Sequence, residues 1–284
     1  MVLALAIGSS VAIGLVDYIA GITLRRDGRM ESAFLYTAIG SVLGSILVAA
    51  MLPLAPAVQF IRSDVFWSIG AGLAIGTALP IVMVGMARGP MTVVAPVMGL
   101  VTLALPAVVG PFVGDRLSTL ELVGLLLAFP ACALISMSNT GPADAGAPIA
   151  QAVAYGAVAG TLFGLAAVCF GQTSTESGIL PGVVGQVTTA VLLIGLMLAT
   201  GRALRPRREA VGLASASGLL TALAVFLSVL AYQRGPIAVV AAVIGLGPGV
   251  AVLLAWLLDK ERIRIVQIVG FVLGVIAVIL FGMG

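Results

Sequence analysis

Apolar residues in this chain run in long blocks, not in the alternating or helical-stripe patterns that leave one face of each element to water. Ten blocks stand out, at 2–24, 31–55, 63–87, 91–113, 118–138, 147–170, 179–200, 208–232, 236–259 and 263–283. Each holds about 20 residues, enough for a helix to cross ~30 Å of hydrocarbon. In that medium every backbone N–H and C=O must pair within its own segment, so helices are the form such blocks take. The pattern predicts an all-α polytopic membrane protein with ten transmembrane helices.

The polar interruptions repeat. Arg88-Gly89-Pro90-Met91-Thr92-Val93-Val94-Ala95 returns as Arg234-Gly235-Pro236-Ile237-Ala238-Val239-Val240-Ala241, a shift of 234 − 88 = 146 residues, and the register carries on through Asp115-Arg116 against Glu261-Arg262 to Gly124 against Gly270. Each copy reads as a helix end, a tight turn and a new helix, because glycine closes one helix and proline opens the next without wasting an N–H. The opening helices match as well, Gly14 with Gly164 at 164 − 14 = 150. The chain therefore divides into a first five-helix repeat at 1–138, a linker at 139–146 and a second repeat at 147–284. Five is odd, so the second copy is inverted in the membrane relative to the first.

Composition narrows the class. A mean hydropathy of +1.24, with 61% hydrophobic and 9% charged residues, excludes a water-soluble globule. A net charge of +3 and a pI near 9.2 would suit a nucleic-acid partner, but the basic residues lie between blocks and read as topology signals, so no nucleic acid is expected. The connections after odd-numbered blocks carry Arg25, Arg26, Arg29, Arg88, Arg202, Arg205, Arg207, Arg208, Lys260, Arg262 and Arg264; the others carry only Arg62, Arg116 and Arg234. The positive-inside rule makes the first group cytoplasmic and both termini extracytoplasmic, in a bacterial inner membrane. The first block has no basic leader and exceeds a signal core, so it reads as a retained helix.

The two Gly-Pro-x-x-Val-Val-Ala copies, the acid–arginine pairs and the glycine after each pair together resemble the drug/metabolite transporter superfamily, in its ten-helix form with a duplicated EamA-type domain. The resemblance covers nearly the whole chain. It implies a secondary transporter of a small organic metabolite, usually an exporter, working by alternating access between inverted halves. A small-molecule substrate and the lipid bilayer are the partners this implies, with protons as a candidate coupling ion. A monomer suffices and a homodimer is equally compatible.

Asp17 is the one ionisable residue well inside a block. A carboxylate at that depth costs about 2.5–3.5 kcal/mol on insertion scales, so it needs water, a partner or a proton. It shares a helical stripe with Ser10, Gly14 and Gly21, which aims it into the bundle; the alternative is a structural carboxylate bonded between helices or reaching the interface. Gly245-Leu246-Gly247-Pro248-Gly249 predicts a broken ninth helix, and Pro96 and Pro106 bracket Thr102, aligned with Pro248, in the fourth. A cavity between helices 1, 3, 4, 6, 8 and 9 would be lined by the polar or kink-forming residues Tyr18, Thr77, Pro80, Thr92, Thr161, Gln186, Thr221 and Ser228, although each hydroxyl alone can bond its own helix. Arg88 and Arg234 are gate candidates or interfacial anchors, and Asp115-Arg116 and Glu261-Arg262 read as interfacial ion pairs.

The chain has no histidine, and Cys132 and Cys169 both fall inside apolar blocks. No catalytic residue, metal site or cofactor is expected, and an enzyme is not. A passive facilitator or channel, or a membrane scaffold or sensor without flux, remain the rival readings.

Overall fold

The computed structural model describes residues 1–27, 30–50, 59–88, 91–137, 148–199 and 208–284, with the side chains of residues 21, 23–37, 87, 91, 92, 208–211 and 214 outside that description. Among the described residues all regular structure is helical: α1 (Val2–Asp27), α2 (Met30–Ala50), α3 (Arg62–Arg88), α4 (Met91–Val109), α5 (Thr119–Ser136), α6 (Ile149–Gly171), α7 (Leu180–Ala199), α8 (Arg208–Tyr232), α9 (Ile237–Ile244), α10 (Gly247–Leu258) and α11 (Ile265–Met283). Short 3₁₀ turns follow α4 at Gly110–Val113 and precede α7 at Thr175–Ser177. The 19 residues of α4 extend about 29 Å at ~1.5 Å per residue, close to the thickness of a hydrocarbon core.

Nine stretches among the described residues are long and apolar enough to cross a membrane, and α2 adds the shorter Ala38–Ala50. Residues 51–55 of the expected second span and the 139–146 linker lie outside the described residues. The expected ninth span, 236–259, is found at Ile237–Leu258 and is two helices, α9 and α10. Its counterpart differs: α4 runs unbroken through Pro96 and Pro106. A proline interrupts only one hydrogen bond, and α4 lacks the two glycines that flank Pro248.

Helices of one half pack chiefly on helices of the other. The main cross-half pairs are α1 with α8 and α10, α2 with α7 and α8, α3 with α6 and α7, α4 with α6, and α5 with α11. Exchanging the halves turns most of these pairs into one another, and the close approaches show it residue by residue. A Cβ on Gly72 of α3 would collide with the Gly185 carbonyl oxygen and Thr188 of α7; one on Gly218 of α8 would collide with the Gly40 carbonyl oxygen and Leu43 of α2. The shifts are 218 − 72 = 146, 185 − 40 = 145 and 188 − 43 = 145. Likewise Gly124 packs on Phe281 and Gly270 on Ile135, with 270 − 124 = 281 − 135 = 146. Glycine here lets backbones meet, which drives helix association where lipid removes the hydrophobic contrast.

Helix starts match too. Ser118 and Glu121 form a capping box on α5, with Ser118 N donating to Glu121 Oε2 at 2.7 Å and Glu121 N donating to Ser118 Oγ at 3.2 Å. At the corresponding place Arg264 N donates to Gln267 Oε1 at 3.0 Å, and Gln267 Nε2 reaches across to the Met137 carbonyl at 3.1 Å.

Candidate functional site

The outer sides of α1 and its neighbours fix where its residues point. Gly8 and Ser9 meet α8, with Ser9 Oγ donating to the Ala224 carbonyl at 3.0 Å, while Gly14 lies against Gly247 and Val250 of α10. Ala4, Ile7 and Val11 form an exposed stripe away from both. Asp17 is not on that stripe. It follows Ala6 and Ser10 at helical spacing, and those two are 0% and 6% exposed. Asp17 and Ala20 are nonetheless exposed, so the interior side of α1 is closed in its first half and open in its second. Among the described residues the Asp17 carboxylate has no hydrogen-bond or ion-pair partner. One turn boundary away, Tyr18 donates its hydroxyl to Asp259 Oδ1 at 3.2 Å, tying α1 to the end of α10.

On α8 the residues between the α1 and α2 contacts follow the same gradient. Ser217 and Thr221 are half-buried, whereas Ser228 and Tyr232, further along, are buried. The closed end is filled by α9, whose residues Ile237 to Val243 are at most 3% exposed. This short helix stops because Gly245 ends it and Pro248 has no N–H to continue it. Gly249 N turns instead to the Leu246 carbonyl at 2.9 Å, and the Cys132 thiol donates to the Gly245 carbonyl at 3.5 Å. A weak donor thus meets a carbonyl left over by the break.

Over the closed end lies an open, polar basin of about 560 Å³, formed by the start of α3, the α4–α5 connection, the end of α6 and the α8–α9 turn. Tyr232, Gly171 and Ile237 line it together with Asp64, Asp115, Arg116, Gln172 and Arg234. Two carboxylates pin its walls together. Asp64, 4% exposed, accepts from Ser174 N at 2.8 Å and Ser177 Oγ at 2.6 Å, joining α3 to the α6–α7 connection. Asp115 Oδ2 accepts from Ile237 N at 2.7 Å, at the head of α9. Burial pushes the Asp115 carboxyl above the usual carboxylate range; the Ile237 and Ala238 N–H groups pull the other way, and Glu121 adds to the rise. Gln233 completes the rim, donating to Thr173 Oγ1 at 3.3 Å and the Gly178 carbonyl at 2.9 Å.

The expected polar residues are dispersed. Arg234 alone among them lines the basin, its guanidinium donating to the Leu230 carbonyl at 3.0 Å. Arg88 is exposed at the far end of α3. Thr77 and Pro80 continue the stripe of exposed Phe66, Ile69 and Leu73, and Thr161 sits between exposed Val158 and Leu165. Both threonines donate to their own helices, to the Leu73 carbonyl at 2.7 Å and the Ala157 carbonyl at 2.8 Å. Thr102 Oγ1 bridges α4 to the Gly160 carbonyl at 3.3 Å, and Pro96 is buried inside α4. Thr221 and Ser228 donate within α8, to Ser217 and Val225 carbonyls. Gln186 is 4% exposed beside Gly44, with no partner for its Nε2 among the described residues, and Pro248 is half-buried in the first turn of α10. The side chain of Thr92 lies outside the described residues.

Asp64 is absent from the sequence expectation, although an acid after serine at a helix start was a signal for it. Asp115 was expected to pair with Arg116. It turns instead to the head of α9, since a helix N–H offers a buried carboxylate more than an exposed neighbouring arginine does.

A helical bundle with this many membrane-length apolar helices, cross-packed between two halves, is a multi-pass membrane protein. Residues 150–283 match the EamA-like transporter family. A solved crystal structure superposes with a TM-score of 0.72 at 18% identity, covering 97% of this chain and 96% of that one, so the fold is shared nearly end to end. No curated protein matches the sequence.

Proposed function

We propose that the protein is a secondary transporter that exports a small neutral, zwitterionic or cationic metabolite, such as an amino acid or amine, across a bacterial inner membrane. Two inverted halves, 1–138 and 147–284, would alternate access to a site between them, with Asp17 as the proton or cation site. The observation that carries the reading is the exposure gradient along α1 and α8, open around Asp17 and sealed beyond Ser10, Ser228 and α9. That is the form expected of a path open to one face only.

The arginine distribution assigns the open end to the cytoplasm and the basin and both termini to the outside. A lone carboxylate then gives a simple exchange. Facing the cytoplasm, Asp17 releases its proton and favours a solute with a cationic group; facing outward, a proton displaces that solute. The carboxylate serves one or the other, so proton entry and solute exit are linked. No Lys or Arg sits deep in an apolar span, which disfavours strongly anionic cargo.

The test is purified protein in liposomes under an imposed pH gradient, with amino acids, amines and hydrophobic cations as candidate solutes. The reading expects solute-dependent proton movement above that of protein-free vesicles. Flux that ignores the gradient would support a facilitator instead, and no flux with any solute would support a scaffold.

A further inference from the structure

The head of α9 is not capped by its own half. Its N-cap residue is Pro236, with no side-chain hydrogen bond, and the first N–H, that of Ile237, goes to Asp115, which is 237 − 115 = 122 residues earlier and in the other half of the chain. The same carboxylate faces the Ala238 N–H. A carboxylate at an open helix head meets both unpaired N–H groups and the positive end of the helix dipole. Because α9 is the buried plug under the basin, this bond holds the plug against the α4–α5 connection. Around Asp115 the charged groups are Arg116 on its own segment, Glu121 on α5, Asp64 at the start of α3 and Arg234 after α8; the end of α6 contributes only Gln172, Thr173 and Ser174.

The repeat carries this arrangement to the opposite face. Both partners move together by 146 residues: Asp115 becomes Glu261 and Ile237 becomes Met91, the first residue of α4, with Gly-Pro before it in each case. The surroundings agree. Asp115 is half-buried between exposed Gly114 and Arg116, and Glu261 is half-buried between exposed Lys260 and Arg262. The acid is tucked in at both places while its neighbours reach water.

We propose that Asp115 and Glu261 are reciprocal latches, each a carboxylate of one half capping the Gly-Pro-opened helix of the other: Asp115 holds α9 shut at the basin face, and Glu261 holds α4 at the opposite face. They act by positioning these two helices, and they touch no solute. The inference rests on the alternating-access reading, and its distinctive consequence is one of sign. Weakening one latch favours opening at its own face and, in a bistable bundle, closure at the other. Two caps that merely stabilise the fold would give the same sign.

The experiment reads accessibility and needs no solute, so it stands or fails apart from the flux test above. In a Cys132→Ala, Cys169→Ala background, single reporters are placed at Ser228→Cys, in the closed half, and Ala20→Cys, in the open half, and reacted with a membrane-impermeant maleimide in detergent. Asp115→Asn is expected to raise the Ser228→Cys labelling rate about fivefold to tenfold, as losing one cap allows, and to lower that of Ala20→Cys. Glu261→Gln is expected to shift both rates the opposite way, and Asp115→Glu to restore the original rates. Both neutralising substitutions shifting the reporters in the same direction would overturn the proposal, as would labelling at Ser228→Cys that Asp115→Asn leaves unchanged. Variants that melt earlier are compared at a fixed interval below their own midpoints, so that general loosening is not read as opening.

Discussion

Adding one methyl group at Gly72 tests the cross-packed architecture most sharply. An alanine Cβ there would lie 2.6 Å from Thr188 Cβ and closer still to the Gly185 carbonyl oxygen, where ordinary contact begins at 3.4 Å. The obstacle is backbone on a facing helix, so no rotamer change relieves it and α3 must move away from α7. That movement also strains the bond by which Thr189 Oγ1 donates to the Gly72 carbonyl at 2.9 Å. Overpacking of this kind costs about 1–3 kcal/mol. The gain from replacing a helical glycine by alanine is roughly 0.5–1 kcal/mol, so the net loss for Gly72→Ala centres on about 1 kcal/mol and reaches about 2.5 kcal/mol if the helices cannot part. Gly218→Ala, whose Cβ would stand 2.7 Å from the Gly40 carbonyl oxygen, is expected to lose a similar amount, because it occupies the matching place in the other half. Gly195 has nothing within 4 Å of the same position, and Gly195→Ala should lose nothing or gain slightly. Thermal unfolding midpoints in one detergent rank the three variants. The reasoning is refuted if Gly72→Ala and Gly218→Ala melt with Gly195→Ala at or above the parent.

Two further predictions concern the basin carboxylates. Asp64→Ala leaves Ser174 N and Ser177 Oγ without their acceptor in a site that is 4% exposed, and should cost about 1–3 kcal/mol, read as an earlier melt and faster proteolytic cutting near residues 172–178. Unchanged melting would mean that the α3 start and the α6–α7 connection are not held by this residue. For Asp115 the folded carboxyl is raised above its unfolded value, so its linked contribution favours the folded state at low pH. That contribution is complete below the unfolded value near ~3.9 and is lost as pH rises through the raised folded value. The midpoint of the parent, relative to Asp115→Asn, should therefore fall between acid and neutral pH; a difference that grows with pH would reverse the sign and refute the burial argument.

Much of the architecture was legible because its signals are local or repeated. The blocks marked the spans to within a few residues, the Gly-Pro copies marked the heads of α4 and α9, and two glycines around Pro248 marked the α9–α10 break. The unbroken α4 shows that proline without glycine is a weaker sign. Less of the site was legible. In α3 and α6 lipid and protein are equally apolar surroundings, so a threonine satisfied by its own helix, as Thr77 and Thr161 are, carries no trace of which way it faces. Asp64 and Asp115 were hidden for another reason: their partners are Ser174 and Ile237, more than a hundred residues away, and only the fold brings them together. The pairing of Asp115 with Arg116 was the natural local expectation, and the unpaired head of α9 overrode it.

The role of Asp17 is tested most directly by comparing the parent with Asp17→Asn in proteoliposomes, first for solute exchange at equal pH and then for uphill accumulation driven by a pH gradient. Asparagine keeps the size and the polar contacts of the side chain but does not take up the proton. The account predicts that exchange of a solute with a cationic group weakens in Asp17→Asn and that its pH-driven accumulation is lost. Equal pH-driven accumulation in both proteins would contradict it and remove Asp17 from the coupling step.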